Sequence, residues 1–265
     1  MTRPNRTRVA AVARKELTEY RRNRFIVVTM GVFPAIFLVL PTIQILLAKV
    51  NQVALAGNAL ADKKIGLSML YLMMVPVLVP STVSGYSIVG ERDQGTLEPL
   101  LATPVSRIDL ILGKATAIFF PAVAIAYVMF GIFVAIVQFG AKPGVASAVF
   151  HSPQLWAELA FAPLLCGWSI WIGLAISTKV SDTRVAQQLT LLGSLPPLAL
   201  VALFALQVFD ATLTIALLLG GALLVVDSVS WFFVAQLFDR DRLVTGSVSK
   251  DAASTTPVVI KLTAT

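Results

Sequence analysis

Long apolar runs separated by short polar connections dominate this chain. A transmembrane α-helix needs about 20 mostly apolar residues to cross roughly 30 Å of hydrocarbon, and six runs meet that requirement. The pattern therefore predicts an all-α membrane protein with six transmembrane helices, with expected bounds of 26–48, 67–90, 108–138, 155–177, 189–209 and 213–238. Only three residues separate the last two runs, so residues 189–212 are expected to form either a full span or a re-entrant hairpin.

The segment before the first run has a different pattern. Val9, Ala13, Leu17 and Tyr20 recur at helical spacing, and arginines and lysines surround them. Such an apolar stripe with a basic surround predicts an amphipathic helix lying in the membrane interface, and a solvated basic arm is the alternative. The expected division is a cytoplasmic N-terminus with this helix, a six-span domain and a cytoplasmic tail, at 1–25, 26–238 and 239–265.

The positive charges indicate how the chain is oriented. If the six spans hold, 17 of the 21 lysines and arginines lie on the side that carries both termini. Lysine and arginine accumulate in cytoplasmic loops, so both termini are expected in the cytoplasm of a multi-pass cell-membrane protein. An even number of spans satisfies that arrangement.

Composition agrees with lipid as the main solvent. Hydrophobic residues make up 57% of the chain and charged residues 13%, whereas soluble domains carry about 25% charged residues. The net charge of +7 sits at the ends of apolar runs, so it favours an anionic leaflet over nucleic acid as partner. The single cysteine, Cys166, excludes an intrachain disulfide, and no cysteine–histidine cluster predicts a metal site.

The segment from Gly90 to Lys114, between the second and third runs, is unusually charged for a short loop. Gly95 permits a sharp turn, and Thr96 can cap a short helix that starts at Leu97. Pro104 stops that helix, and Ser106 can cap the next one. The pattern predicts a two-turn helix parallel to the membrane, which either docks a soluble partner or forms a solvated interfacial loop.

The same segment resembles a known family. Residues 90–106 read GERDQGTLEPLLATPVS and lead to Gly113-Lys114, which is similar to the motif of type-2 ATP-binding-cassette (ABC) exporter permeases. The stretches RKEL at 14–17 and FDRDRL at 238–243 resemble the elbow helix and the ending of that family. The resemblance implies a coupling helix that docks on an ABC ATPase subunit, with these coupling residues: Glu91, Arg92, Gly95, Thr96, Leu97, Glu98, Leu100, Leu101 and Pro104.

The resemblance further implies a second permease subunit, either identical or different, and an exporter that works in the cell membrane. Gly113-Lys114 lacks the upstream glycine of a phosphate-binding loop, and Ala115 occupies the position of its serine or threonine. The chain is therefore not expected to be an enzyme, and the ATPase is expected to be a separate polypeptide. No catalytic, cofactor-binding or metal-binding residue is predicted.

Asp227 lies within the sixth apolar run. A carboxylate there costs about 2.5–3.5 kcal/mol on insertion scales, so it should face the bundle interior or a wet cavity. It is a candidate for the transport pathway, or its carboxyl is satisfied by a neighbouring helix. The alternative function is a stand-alone secondary transporter that uses Asp227 as its ion or proton site. The residues do not name a substrate.

Overall fold

The computed structural model describes residues 4–47, 59–97, 105–206 and 213–237. Every regular element in these ranges is helical, which confirms the predicted all-α fold. In chain order these helices are α1 (Arg6–Arg22), α2 (Arg24–Leu46), α3 (Ala59–Met73), α4 (Val75–Ser87), α5 (Val89–Asp93), α6 (Arg107–Gly140), α7 (Pro143–Phe150), α8 (Pro153–Lys179), α9 (Thr183–Ala205) and α10 (Leu213–Leu237).

Six helical stretches are long and apolar enough to cross a membrane, as predicted. They are Arg24–Leu46, Lys63–Asp93, Arg107–Gly140, Pro153–Lys179, Thr183–Ala205 and Thr214–Leu237. The second stretch joins α3, α4 and α5 through single-residue breaks at Met74 and Ile88. Pro76 follows the first break in the opening turn of α4, where its missing N–H is tolerated.

Polar side chains begin several helices where the apolar runs end. The Asn23 side chain accepts from the backbone of the first turn of α2, and the Asp182 side chain does the same for α9. The Ser106 hydroxyl accepts from the backbone N of Asp109 at 3.1 Å, as its spacing predicts. Each cap satisfies backbone donors that the helix itself leaves without partners.

The second span forms the centre of the bundle. In its most apolar stretch 72% of the residues are buried, against 11% in the sixth span. Helix α4 packs against α6, α8 and α9, while the described part of α10 packs mainly against α8 and α6. The main apolar core therefore gathers around α4, with Val79, Val83, Ile118 and Leu174 buried in it.

Helix α9 runs without interruption from Thr183 to Ala205 and includes Pro196 and Pro197. Its length and hydropathy suit a full crossing, so the described residues favour the full span over the re-entrant hairpin. Residues 207–212, on which the hairpin alternative also depended, lie outside the described residues, as do the predicted tail 239–265 and most of the predicted coupling helix.

Candidate functional site

The end of the second span is a short helix, α5, with a defined stop. The backbone N of Thr96 donates to the carbonyl of Glu91 at 2.9 Å, and that of Gly95 donates to the carbonyl of Arg92 at 3.1 Å. Gly95 has a φ of +68°, a left-handed conformation that glycine adopts without strain. These features form a Schellman motif, which ends the helix and turns the chain away at Gly95.

A buried lysine joins three segments that are far apart in the sequence. Lys114 of α6 has no exposed surface, and its Nζ lies 2.9 Å from Glu16 Oε1 of α1 and 2.9 Å from Glu91 Oε1 of α5. It also donates to the carbonyl of Ser87 at 3.3 Å. We call Lys15, Glu16, Glu19, Glu91 and Lys114 the ionic cluster.

The second cation of the ionic cluster lies closer to the surface. Lys15 Nζ is 2.9 Å from Glu91 Oε1, 3.3 Å from Glu16 Oε1 and 3.0 Å from Glu19 Oε2. Glu16, Glu19 and Glu91 have oxygens within 4.8 Å of one another, a spacing that a metal ion could use. The two ammonium groups already lie among these oxygens and supply the balancing charge, so the geometry is that of an ion-pair network.

Burial and the charges of the ionic cluster shift the pKa values of groups in it and beside it. Burial alone would raise the pKa of Glu16, but the ammonium groups of Lys114 and Lys15 outweigh it and hold the pKa below its usual range. Burial alone would lower the pKa of Lys15, but the carboxylates of Glu16 and Glu91 raise it above its ordinary value. Burial, reinforced by the Glu16 carboxylate, raises the pKa of the neighbouring Tyr20 well above its usual value. These shifts favour the charged forms of both Glu16 and Lys15.

Two contacts hold α1 against α6 so that the ionic cluster can form. A Cβ on Gly113 would lie 2.5 Å from Val12 Cβ, so only glycine lets the two helices come this close. At the start of α1 the backbone N of Asn5 donates to Asp109 Oδ1 at 2.8 Å. The dipeptide Gly113-Lys114 thus has a structural explanation. The glycine leaves room for α1 to pack closely against α6, and the lysine binds α1 through Glu16.

The opposite side of α5 is tied to the junction between α8 and α9. The Ser177 hydroxyl accepts from the backbone N of both Ile88 and Val89 at 3.0 Å. Arg92 Nη1 donates to the carbonyl of Val180 at 3.1 Å, and the Thr183 hydroxyl donates to Asp93 Oδ2. Helix α5 is therefore held by α1 and α6 through ion pairs and by α8 and α9 through hydrogen bonds.

The predicted coupling residues fall into three groups. Glu91 is 8% exposed. Its side chain and that of Arg92 face inward and bind other helices. Gly95 and Thr96 are exposed at the turn, whereas Leu97 is helical and buried. Glu98, Leu100, Leu101 and Pro104 lie outside the described residues. The structure thus brings Glu91 and Lys114 of the 90–114 motif together with Lys15 and Glu16 of the RKEL stretch.

Asp227 of α10 lies apart from the ionic cluster, beside a cavity of about 290 Å³ between α6, α8 and α10. Among the described residues its carboxylate has no hydrogen-bond or ion-pair partner, and its Oδ1 is inaccessible to solvent. Asp227 thus lies at the wall of a cavity, and no hydrogen bond to a neighbouring helix is seen in the described part of the chain.

Sequence reasoning missed two features of these sites. It placed Lys114 at the end of the family motif and in an incomplete phosphate-binding loop, and it gave neither Lys114 nor Glu16 a role as an ion-pair partner. It also passed over Glu158 of α8, which is 2% exposed and whose Oε2 has no partner among the described residues. A charged residue inside an apolar run is the signal that singled out Asp227, and it applies equally to Glu158.

The fold and the ionic cluster define a multi-pass helical membrane protein in which an N-terminal helix is joined by ion pairs to the end of the second span and the start of the third. A sequence model of the family described as "ABC-2 family transporter protein" matches residues 10–219, well over half of the chain. The chain belongs to this family and is an ABC transporter permease. A search of the curated proteins gives no match.

Proposed function

We propose that this chain is the transmembrane subunit of an ABC exporter and that a separate ATPase subunit drives it. The segment at 91–104 is its docking site on the cytoplasmic face, and both termini lie on that side of the cell membrane. Residues 1–25 form a cytoplasmic N-terminus with an interfacial helix, residues 26–238 form the six-span domain, and residues 239–265 form a cytoplasmic tail. A second permease subunit, identical or different, completes the pathway.

The single observation that carries this proposal is the position of Lys114. It is fully buried, and its Nζ binds Glu16 and Glu91 at the same distance of 2.9 Å. A buried ion pair makes a rigid connection because separating its partners leaves an unpaired charge in an apolar region. A displacement of α5 is therefore passed directly to α1 and to the start of the third span.

Because Glu91 and Arg92 face inward, they have a different role from that of the later residues of the coupling segment. Glu91 and Arg92 fix the base of the segment to the bundle, and the residues after the turn at Gly95 are left for the ATPase. Force applied after Gly95 then reaches α5 and, through its two sets of contacts, reaches α1, α6 and the α8–α9 junction. Family membership favours this function over that of a stand-alone secondary transporter.

The experiment is co-purification of this chain with its genomic neighbour, if that neighbour encodes a phosphate-loop ATPase, followed by measurement of ATP hydrolysis. We expect Glu98→Lys to abolish co-purification because it reverses a charge at the proposed docking surface. Lys142→Glu is the matched control, since it reverses an exposed charge at the start of α7, on the proposed external side. Size-exclusion profiles establish that both variants are folded.

Glu91→Gln tests transmission separately from docking. We expect it to retain the ATPase on the column but to alter the rate of ATP hydrolysis. The substitution removes the negative charge of one partner of Lys114 and leaves the docking surface unchanged. An ATPase that fails to co-purify with the unaltered chain, or that binds Glu98→Lys as well as the unaltered chain, would refute the proposal.

A further inference from the structure

The cavity beside Asp227 has walls from three helices. Leu112 and Phe119 line it from α6, Leu164 and Trp171 from α8, and Asp227 from α10. Its volume of about 290 Å³ is at the lower end of the roughly 300–1,000 Å³ range of ligand pockets. The cavity therefore suits a compact organic molecule and is too small for a polymer or a whole lipid.

Asp227 is the chemically distinctive group in this wall. The two hydroxyls that also line the cavity are already used, since Thr116 donates to the carbonyl of Leu112 at 2.8 Å and Ser228 to that of Leu224 at 2.7 Å. The Asp227 carboxylate has no such partner among the described residues. The cavity wall thus presents one carboxyl group without a partner among the described residues, in a surround that is mostly apolar and aromatic.

The backbone of α8 holds the carboxylate in place. A Cβ added at Gly167 would lie 2.6 Å from Asp227 Oδ2 and 2.9 Å from its Cγ, so the carboxyl group rests directly against the helix at the glycine. A larger residue at this position would push the carboxylate away. The carboxyl group therefore lies at the α8 wall of the cavity.

We propose that this cavity binds an amphipathic organic ammonium cation. The ammonium group pairs with Asp227, the hydrocarbon part lies along Leu112, Leu164 and Leu224, and the rings of Phe119 and Trp171 attract the cation. A divalent metal ion does not fit, because it needs several oxygen ligands and the wall supplies one carboxylate. Such a cation is a candidate substrate only if the proposed transport function holds, whereas the binding site itself does not depend on it.

The test uses the purified full-length chain in a neutral detergent, with radiolabelled octylammonium as the probe and octanol as its uncharged counterpart. We expect octylammonium to bind at least about tenfold more tightly than octanol, as a charge-assisted contact implies. Asp227→Asn should reduce octylammonium binding to the level of octanol. Octanoate, which has the opposite charge, should not compete.

Glu158→Gln is the matched control, because it neutralises another buried carboxyl of the bundle that does not line this cavity. It should leave octylammonium binding unchanged. Unaltered octanol binding by Asp227→Asn establishes that its cavity is intact.

Equal affinities for octylammonium and octanol, or an Asp227→Asn variant that keeps the difference, would overturn the proposal. No ATPase is present in the assay, so this result is distinct from a failure of the ATPase to co-purify.

Discussion

The ionic cluster and the Asp227 cavity both contain ionisable side chains within the helical bundle, but these side chains differ in the partners they have. Lys114 has two carboxylates and a carbonyl within hydrogen-bonding distance. Asp227 has no hydrogen-bond or ion-pair partner among the described residues. Its partners make Lys114 part of the architecture, whereas the Asp227 carboxyl lines a cavity without such a partner and is available to a ligand from outside the chain.

Their positions in the bundle reinforce the contrast. The ionic cluster joins α1, the end of the central second span and α6, so its loss would loosen several helices at once. Asp227 lies on α10, the span with the least buried surface. The ionic cluster therefore has the properties of a mechanical joint between helices. Asp227 has those of a peripheral site, where a substitution leaves the packing of the core in place.

The largest effect should come from removing the central cation. Lys114→Met leaves Glu16 and Glu91 buried with only Lys15 to balance them, and breaking a buried pair in this way costs about 3–5 kcal/mol. We expect a large fall in the midpoint of thermal unfolding, measured on the purified chain in neutral detergent.

Lys179→Met is the matched control, because Lys179 is exposed in the last turn of α8. It should change the unfolding free energy by no more than about 0.5 kcal/mol. The double variant Lys114→Met with Glu16→Gln should recover part of the loss, since fewer buried carboxylates are left without a partner. Equal melting of Lys114→Met and Lys179→Met would remove the basis for treating the cluster as a joint.

A smaller effect should follow from pH. The folded-state pKa of Glu16 lies below its ordinary value of 4.5, so its stabilisation is complete above that value and is lost as the pH falls through the folded pKa. The folded-state pKa of Tyr20 lies above its ordinary value of 10.0, so its stabilisation is complete below that value and is lost as the pH rises. Lys15 acts in the same direction as Tyr20 at high pH.

The melting temperature measured across pH should therefore be level between these limits and fall on both sides. Glu16→Gln should make the fall in melting temperature at acid pH less steep. Tyr20→Phe should make the fall at alkaline pH less steep. An acid limb that is identical in Glu16→Gln and the unaltered chain would show that other carboxyls cause it.

The spans could be predicted from sequence because their signal is local. A run of apolar residues and a cap such as Ser106 act over one helix, so the six crossings and several helix starts follow from the order of residues alone. The fold class and its count of spans therefore needed no knowledge of which helices touch.

The ionic cluster could not be predicted in this way, because it depends on distances between helices. Glu16 and Lys114 are 98 positions apart, and Lys15 and Glu91 are 76 positions apart. Each motif carried its own charged residues, but nothing in the local patterns indicates that Glu91 faces inward. The inward turn follows from the close packing of α1 at Gly113, which is a property of the assembled bundle.

The smallest effect, and one of opposite sign, should come from Asp227. Replacing a half-buried carboxyl that has no partner among the described residues by an apolar side chain removes its desolvation penalty, so Asp227→Leu should raise the unfolding free energy by about 1 kcal/mol. Ser228→Leu is the matched control: it lies on the same helix, and its hydroxyl is already satisfied by the carbonyl of Leu224. It should stay within about 0.5 kcal/mol of the unaltered chain.

The measurements of stability and of octylammonium binding on Asp227 variants can then be compared. A variant that melts higher but no longer distinguishes octylammonium from octanol has gained stability by giving up a binding group, a trade-off common at functional sites. If Asp227→Leu instead melts as low as Lys114→Met, the carboxylate must have a partner within the folded chain. The contrast between the two regions would then disappear, because both charges would serve the architecture.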